Sequence, residues 1–552
     1  MLAVLAGLLV WVPALLGWGG LVLPALLGGR LREDDEASFA LSGFFGLGTL
    51  ATFGAALNLL TGLGPGLSAA AALGGLALFA RGGAGAFRRL SRGDAAALGA
   101  LLLVLALFAS GPIRLYDTAL YHLQAVAWST AGPIPAGLAN LHRRFGLDSL
   151  WFPLAALLEL PGFARRGASF APALALFFFG AAVWSAGRKA VKGVAGPADL
   201  LLAFGVLPLA VLGASDGVPS LSTDLPAALL TILSAHFLLR PSPSGVERRA
   251  AVALAFFAMT VKLSSAVWLL ALVVLLRAVP RVLAVPAFAW LLRGVALSGY
   301  LLYPAVATRL SFLPWAAPAS TAREEILWAR SWARIPQGRP EEVLAGWGWV
   351  WPWARTTIPR PSVLPLVLFF AIGFALLLLS RRRPADPAAA RPLLATLGAA
   401  IASTLFWFLS APDPRFGYGA LYVLALLPLA AALPRLGYGA WPAAVRAVLA
   451  VAVACGFAGA GAAFLVMGAG FRPAALVSPA PPSPAVEERR TDEGETVHVP
   501  VTDDRCWSAP LPCTPHFRRD LLIERDDAGR ARVFSFPPGG SAETRDRRPS
   551  PK

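Results

Sequence analysis

The stretch Ala95-Ala-Ala-Leu-Gly-Ala-Leu-Leu-Leu-Val-Leu-Ala-Leu-Phe-Ala-Ser110 has no charged or strongly polar residue before its terminal serine. It then gives way to Ile113-Arg-Leu-Tyr-Asp-Thr-Ala-Leu-Tyr-His-Leu-Gln124, which carries Asp117 and His122. With its flanks, the first stretch has the length of apolar helix needed to cross a bilayer core. The second places a carboxylate just past the end of that helix. There it stays hydrated and can still meet a substrate held in lipid.

The same pattern recurs along the chain. Apolar runs fall at about 2–28, 37–62, 66–80, 94–111, 168–186, 198–213, 224–240, 249–262, 263–279, 283–303, 362–380, 390–410, 417–436 and 440–468. Only 14% of residues are charged, against about 25% in soluble domains, and the mean hydropathy is +0.64. A soluble domain is therefore excluded. The runs are continuous rather than alternating, which excludes a β-barrel. The expectation is an all-α polytopic membrane protein with about 12–14 transmembrane helices, the shorter runs being candidate half-spans.

The formal charge of +17 reflects arginines clustered in short loops, where they set topology. No basic face interleaved with aromatics appears, so nucleic acid is not an expected partner. Arg81, Arg88, Arg89 and Arg92 place one loop in the cytoplasm, as do Arg188, Lys189 and Lys192. The same holds for Arg240, Arg248 and Arg249, and for Arg381, Arg382 and Arg383. The alternation then holds only if Leu150–Phe163 does not span; Pro153, Glu159 and Pro161 suit an interfacial helix. Three parts follow: N-terminal helices over 1–93, a core over 94–469, and a Pro-rich linker with a small tail over 470–552. Outer loops lie at 112–167, 213–223 and 304–361. The reading places the protein in the bacterial cytoplasmic membrane, multi-pass and in contact with membrane lipids, with an extracytoplasmic tail.

Several residues at the outer boundary carry chemistry. Asp117 is a candidate general base or metal ligand, or else a boundary acid that caps a helix or pairs with Arg114. His122 and His142 could bond a substrate or simply be structural. Asp216 and Asp224 lie in the second outer loop. Asp224 precedes Leu225-Pro226, a normal helix start, but would also serve as a second carboxylate that orients an acceptor or shares a divalent ion with Asp117. Lysine is scarce, so Lys262 stands out in an apolar run. Such a charge is costly unless paired or snorkelling, and a phosphate is its natural functional partner. Arg415 could bind a phosphate bidentately or pair with Asp413. Arg293 lies midway along 283–303 with no partner that the sequence identifies. Trp315, Trp328, Trp332, Trp347, Trp349, Trp351 and Trp353 form either an interfacial belt or a platform for a sugar ring. Cys455 reads as a packed small residue. Cys506 and Cys513 suit a disulfide if the tail lies outside the cytoplasm.

Together these elements resemble the GT-C glycosyltransferases. The likeness rests on a carboxylate in the first large outer loop, acids in the next, a mid-chain lysine and an Arg-aromatic pair opening a late span. Tyr116–His122, Gly137–Phe145, Ser298–Pro304, Pro412–Tyr418 and Cys506–Pro515 resemble a bacterial multi-spanning group related to them. The resemblance covers roughly 95–515 and leaves out the first three spans. It implies a GT-C-like fold and transfer of a sugar from a polyprenyl-phosphate carrier to a glycan, lipid or protein acceptor. It makes Asp117 the base, Asp216 or Asp224 the second acid, Lys262 and Arg415 the phosphate ligands, and Tyr418 part of their motif. No tight paired-acid motif stands in the outer loop, which leaves metal dependence open. A transporter or flippase of lipid-linked sugars is the other functional class.

Overall fold

The computed structural model describes residues 1–29, 37–83, 90–113, 115–162, 167–205, 218, 220–240, 243–380, 387–447 and 482–537. Its helices are α1 (Leu2–Leu27), α2 (Ala37–Asn58), α3 (Pro65–Leu78), α4 (Arg92–Ala109), α5 (Leu123–Ala131), α6 (Trp151–Leu157), α7 (Gly167–Lys192), α8 (Pro197–Ala203), α9 (Asp224–Leu238), α10 (Gly245–Val261), α11 (Ala266–Leu276), α12 (Ala284–Ser298), α13 (Ala319–Arg334), α14 (Val350–Thr357), α15 (Leu364–Ser380), α16 (Pro387–Ser410) and α17 (Pro414–Arg435). Among the described residues seven are long and apolar enough to cross a bilayer: α1, α2, α4, α7, α16, α17 and the helix ending at Ser298. Those at 224–238, 263–276 and 364–380 are apolar but shorter. The protein is thus a mostly helical membrane protein. Of the 198–213 run only α8 is described, and the 440–468 run lies outside the described residues beyond 447.

Local signals set where helices begin. Ser91 and Asp94 form a capping box at the start of α4, and Ser244 and Glu247 form one at α10. Asp413 caps α17 by accepting from the Arg415 N–H, with Pro414 in the first turn. Helix α10 stops at Val261 because Lys262 is extended (φ −147°), and a new helix follows at Ala266. The lysine is therefore at a helix break rather than inside a span.

Helices α1 and α2 approach as close as backbones allow. A Cβ on Gly19 would stand 1.7 Å from the Ser42 carbonyl oxygen, the small-residue contact that membrane helices use for dispersion packing. Both helices share one apolar core with α6, α7, α9, α10 and α17. Of Leu150–Phe163, expected not to span, residues 150–162 are described. Their only helix is the seven-residue α6, every residue of which is buried. It is an internal element against α2, α5 and α7, not one lying at an interface, because Trp151, Phe152 and Leu154 have no lipid-facing side.

Charged groups sort to two ends. At one, Arg188 pairs with Asp94, Lys189 with Asp199, Arg240 with Glu247, and Arg249 donates to the Leu27 carbonyl. At the other meet Asp117, the start of α9, the end of α10 and the start of α17. The loops with Arg88 and Arg89 and with Arg381, Arg382 and Arg383 lie outside the described residues.

The described part of the tail holds two β-hairpins: β1 (Val486–Arg490) with β2 (Thr496–Pro500), and β3 (Leu522–Arg525) with β4 (Ala531–Ser535), both antiparallel. Cys506 and Cys513 form a disulfide, their Cα atoms 6.0 Å apart. The tail is docked rather than merely appended. Trp507 N–H donates to the Ala119 carbonyl (2.8 Å), and Phe534 N–H to that of Ala136 (2.8 Å). Gln124 Nε2 donates to the carbonyls of Trp507 and Ala509 at 3.1 and 3.0 Å. Reporter fusions at Leu90 and Ala136 are expected to report opposite sides of the membrane; the same side for both would break this arrangement.

Candidate functional site

Asp117 stands at the head of a π-turn, Thr118–His122, that leads into α5. π-turns cluster at functional sites because the extra residue redirects a side chain. Thr118 ties the turn to its neighbours: its hydroxyl accepts from the Leu221 N–H at 3.1 Å and lies 3.3 Å from His122 Nδ1. The loop before α9 and the turn of Asp117 are thereby fixed to each other.

The Asp117 carboxylate is held by two arginines. Arg144 Nη1 pairs with Oδ1, and Arg415 Nη1 with Oδ2 at 3.1 Å. Helix α13 covers both from the long loop. Its Glu325, Trp328 and Trp332, spaced i, i+3 and i+7, share one helical face. Glu325 forms an ion pair with Arg143 Nε at 2.7 Å and stands 3.9 Å from Arg144 Nε. The Arg144 guanidinium lies over Trp328 (4.4 Å to the centroid) and that of Arg415 over Trp332 (5.0 Å), and the two indoles stack at 5.8 Å. Such faces attract guanidinium groups and fix their planes.

A second pair stands beside the first. Lys262 pairs with Asp224, the first residue of α9, and its ammonium lies 4.2 Å from the centre of the Phe416 ring. A third pair, Arg293–Asp148, is almost wholly buried, so Arg293 has its partner in a loop 145 residues away. The first two pairs, and Asp148 of the third, border one cavity of about 440 Å³, lined by Asp117, His122, Arg144, Asp148, Asp224, Lys262, Trp328, Arg415 and Tyr418 among others. This is the size of a small-ligand site.

Of the residues singled out in the sequence, Asp117, His122, Asp224, Lys262, Arg415 and Tyr418 thus converge. His142 does not line the cavity. It is buried, its Nδ1 accepts from the Arg144 N–H at 3.3 Å, and its ring stacks on His516, so it positions Arg144. Asp216 and Arg114 lie outside the described residues. The tryptophans divide: Trp328 and Trp332 form a platform over the site, whereas Trp347 and Trp351 are exposed, as a belt requires. Arg144, Glu325 and Asp148 were not legible as site residues. The one available signal was Arg143-Arg144 in an outer loop, where the topology rule gives arginine no role. Among the described residues no group of three or more His, Cys, Asp or Glu is placed to hold a metal ion. The two carboxylates that would share one, Asp117 and Asp224, face cations instead.

Electrostatics follow from this pairing. Burial alone would raise the Asp117 carboxyl, but Arg144 and Arg415 outweigh it and hold the group down at about 2. Burial lowers His122 to about 3 against the pull of Asp117, so the imidazole is neutral at physiological pH.

The chain belongs to a family described as a domain of unknown function, DUF8201, whose model matches residues 1–422. No curated protein and no solved structure matches it. The family match takes in every pair described above and stops short of the tail.

Two outcomes are expected. A carboxyl whose folded pKa is depressed adds stability above its ordinary value of roughly 3.9, and loses it as pH falls toward about 2. Arg144→Ala should therefore shift the protonated-carboxyl infrared band of Asp117 to higher pH. Lys262→Met leaves a buried carboxylate unpaired and should cost about 3–5 kcal/mol in thermal or denaturant unfolding, most of it recovered when Asp224→Leu is added.

Proposed function

We propose that this protein is a membrane glycosyltransferase of GT-C-like architecture that transfers a sugar from a polyprenyl-phosphate carrier to a cell-envelope acceptor. The reaction takes place at the outer face of the bacterial cytoplasmic membrane, with 12–14 spans and the tail on the outer side. The observation that carries the reading is the Asp117 carboxylate between Arg144 and Arg415, in the wall of a cavity that also holds Lys262. The orientation rests on the arginine-rich loops at the opposite end of the bundle.

The chemistry follows from charge. A lipid-linked phosphate needs fixed cations, and those present are neutralised by Asp117 and Asp224. A phosphate entering beside Arg415 and Lys262 competes for them. Asp117, relieved of a guanidinium, regains basicity and accepts the proton of the acceptor hydroxyl. The acceptor oxygen bonds to the anomeric carbon as the bond to the phosphate oxygen breaks. The electron pair stays on the phosphate, where the cations stabilise the growing charge. The attack on the opposite face inverts the anomeric centre.

A flippase of lipid-linked sugars is the second reading, favoured by the buried Lys262–Asp224 and Arg293–Asp148 pairs. That these pairs gather at one end, rather than being spread through the bundle, supports the enzyme. Radiolabel transfer from polyprenyl-phosphate sugars in proteoliposomes separates the two. Asp117→Asn should lower transfer by roughly 10²-fold or more and change the envelope glycans of the host. Unchanged glycans at normal protein level would sink the catalytic role.

A further inference from the structure

Among the residues that line the cavity, Asp148, Trp290 and Tyr303 each carry a buried polar atom with no hydrogen-bond partner: Oδ2, Nε1 and Oη. Trp290 and Tyr303 are buried, and the Asp148 side chain is 7% exposed. A native protein rarely leaves such atoms unpaired unless something else bonds to them.

The fold brings these three residues to the same cavity. Trp290 and Gly294 lie one turn apart on the same face of α12. The intervening Arg293 holds Asp148 by Oδ1 alone, which turns Oδ2 toward Gly294. A Cβ on Gly294 would reach Asp148 Oδ2 at 3.7 Å and meet nothing nearer, so this glycine keeps space open beside the carboxylate. Tyr303 packs over Gly146, two residues before Asp148, where a Cβ would stand 2.9 Å from its ring.

The three atoms form a mixed set: a carboxylate accepts, an indole N–H donates, and a phenol does both. Hydroxyl groups, which also do both, match such a set. A phosphate does not, since Asp148 would repel it. The cations that suit a phosphate, Arg144, Arg415 and Lys262, border the same cavity. We propose that the Asp148–Trp290–Tyr303 set is a hydroxyl-binding subsite that holds the sugar while Arg144, Arg415 and Lys262 hold the phosphate it is linked to. The proposal rests on the donor chemistry proposed above.

The test uses the full chain in lipid nanodiscs. Binding of bare undecaprenyl phosphate is compared with that of undecaprenyl phosphate carrying glucose, mannose, galactose or arabinose. The wild type should bind at least one glycosyl form roughly tenfold more tightly than the bare phosphate. Gly294→Ala, whose added methyl sits at ordinary contact distance, and Tyr303→Phe should each cut that advantage to about threefold or less. Both should leave bare-phosphate affinity and the thermal midpoint unchanged. Arg415→Ala should weaken all the ligands together. Equal binding of bare and glycosyl forms by the wild type would overturn the subsite and leave the phosphate reading standing. An advantage that survives in both variants would overturn it as well. Binding of neither ligand class would overturn the donor chemistry, and the subsite with it.

Discussion

A carboxylate taken out of water at the end of an apolar bundle must be paired, and the pairing of Asp117 organises everything around it. Its two arginines come from residues 144 and 415, distant in sequence from it and from each other. Each arginine then needs a second support. Glu325 and Trp328 provide it for Arg144; Asp413 and Trp332 provide it for Arg415. One buried charge thus draws the first outer loop, the long loop helix and the opening of α17 into a single cluster. The apolar helices bring these segments to the same end, and the charges fix them there.

The spans were legible because length and hydropathy are local properties of the chain. The two ends of the bundle were legible too, since the arginines of the short loops mark one of them. Asp117, Asp224, Lys262 and Arg415 could be singled out because each breaks an apolar pattern at a helix boundary. Arg144, Glu325 and Asp148 break no such pattern, and their roles exist only through partners brought close by tertiary packing. The sequence flagged Arg293 as a buried charge and left its partner open, for the same reason. Residues 150–163 read as interfacial because a short Pro-bearing segment cannot span; that composition equally suits a short helix enclosed by neighbours, which is what α6 is.

The Trp-rich loop divides in the folded chain. The exposed Trp347 and Trp351 suit a boundary with lipid, while Trp328 and Trp332 turn inward and stack under guanidinium groups. Periodicity separates them only once the helix α13 is in place, because i, i+3 and i+7 share a face in a helix and not in a loop.

The docking of the tail sets an order of events during synthesis. Residues 507–509 bond to the backbone at Ala119 and the side chain of Gln124, so the turn after Asp117 is completed by a segment made almost four hundred residues later. The helical bundle can insert as it emerges, but the Asp117 turn gains these bonds only after the C-terminal hairpins have been made and brought to the same end of the bundle. The turn after Asp117 therefore gains its last bonds late in the life of the chain, in an order set by the direction in which it is made.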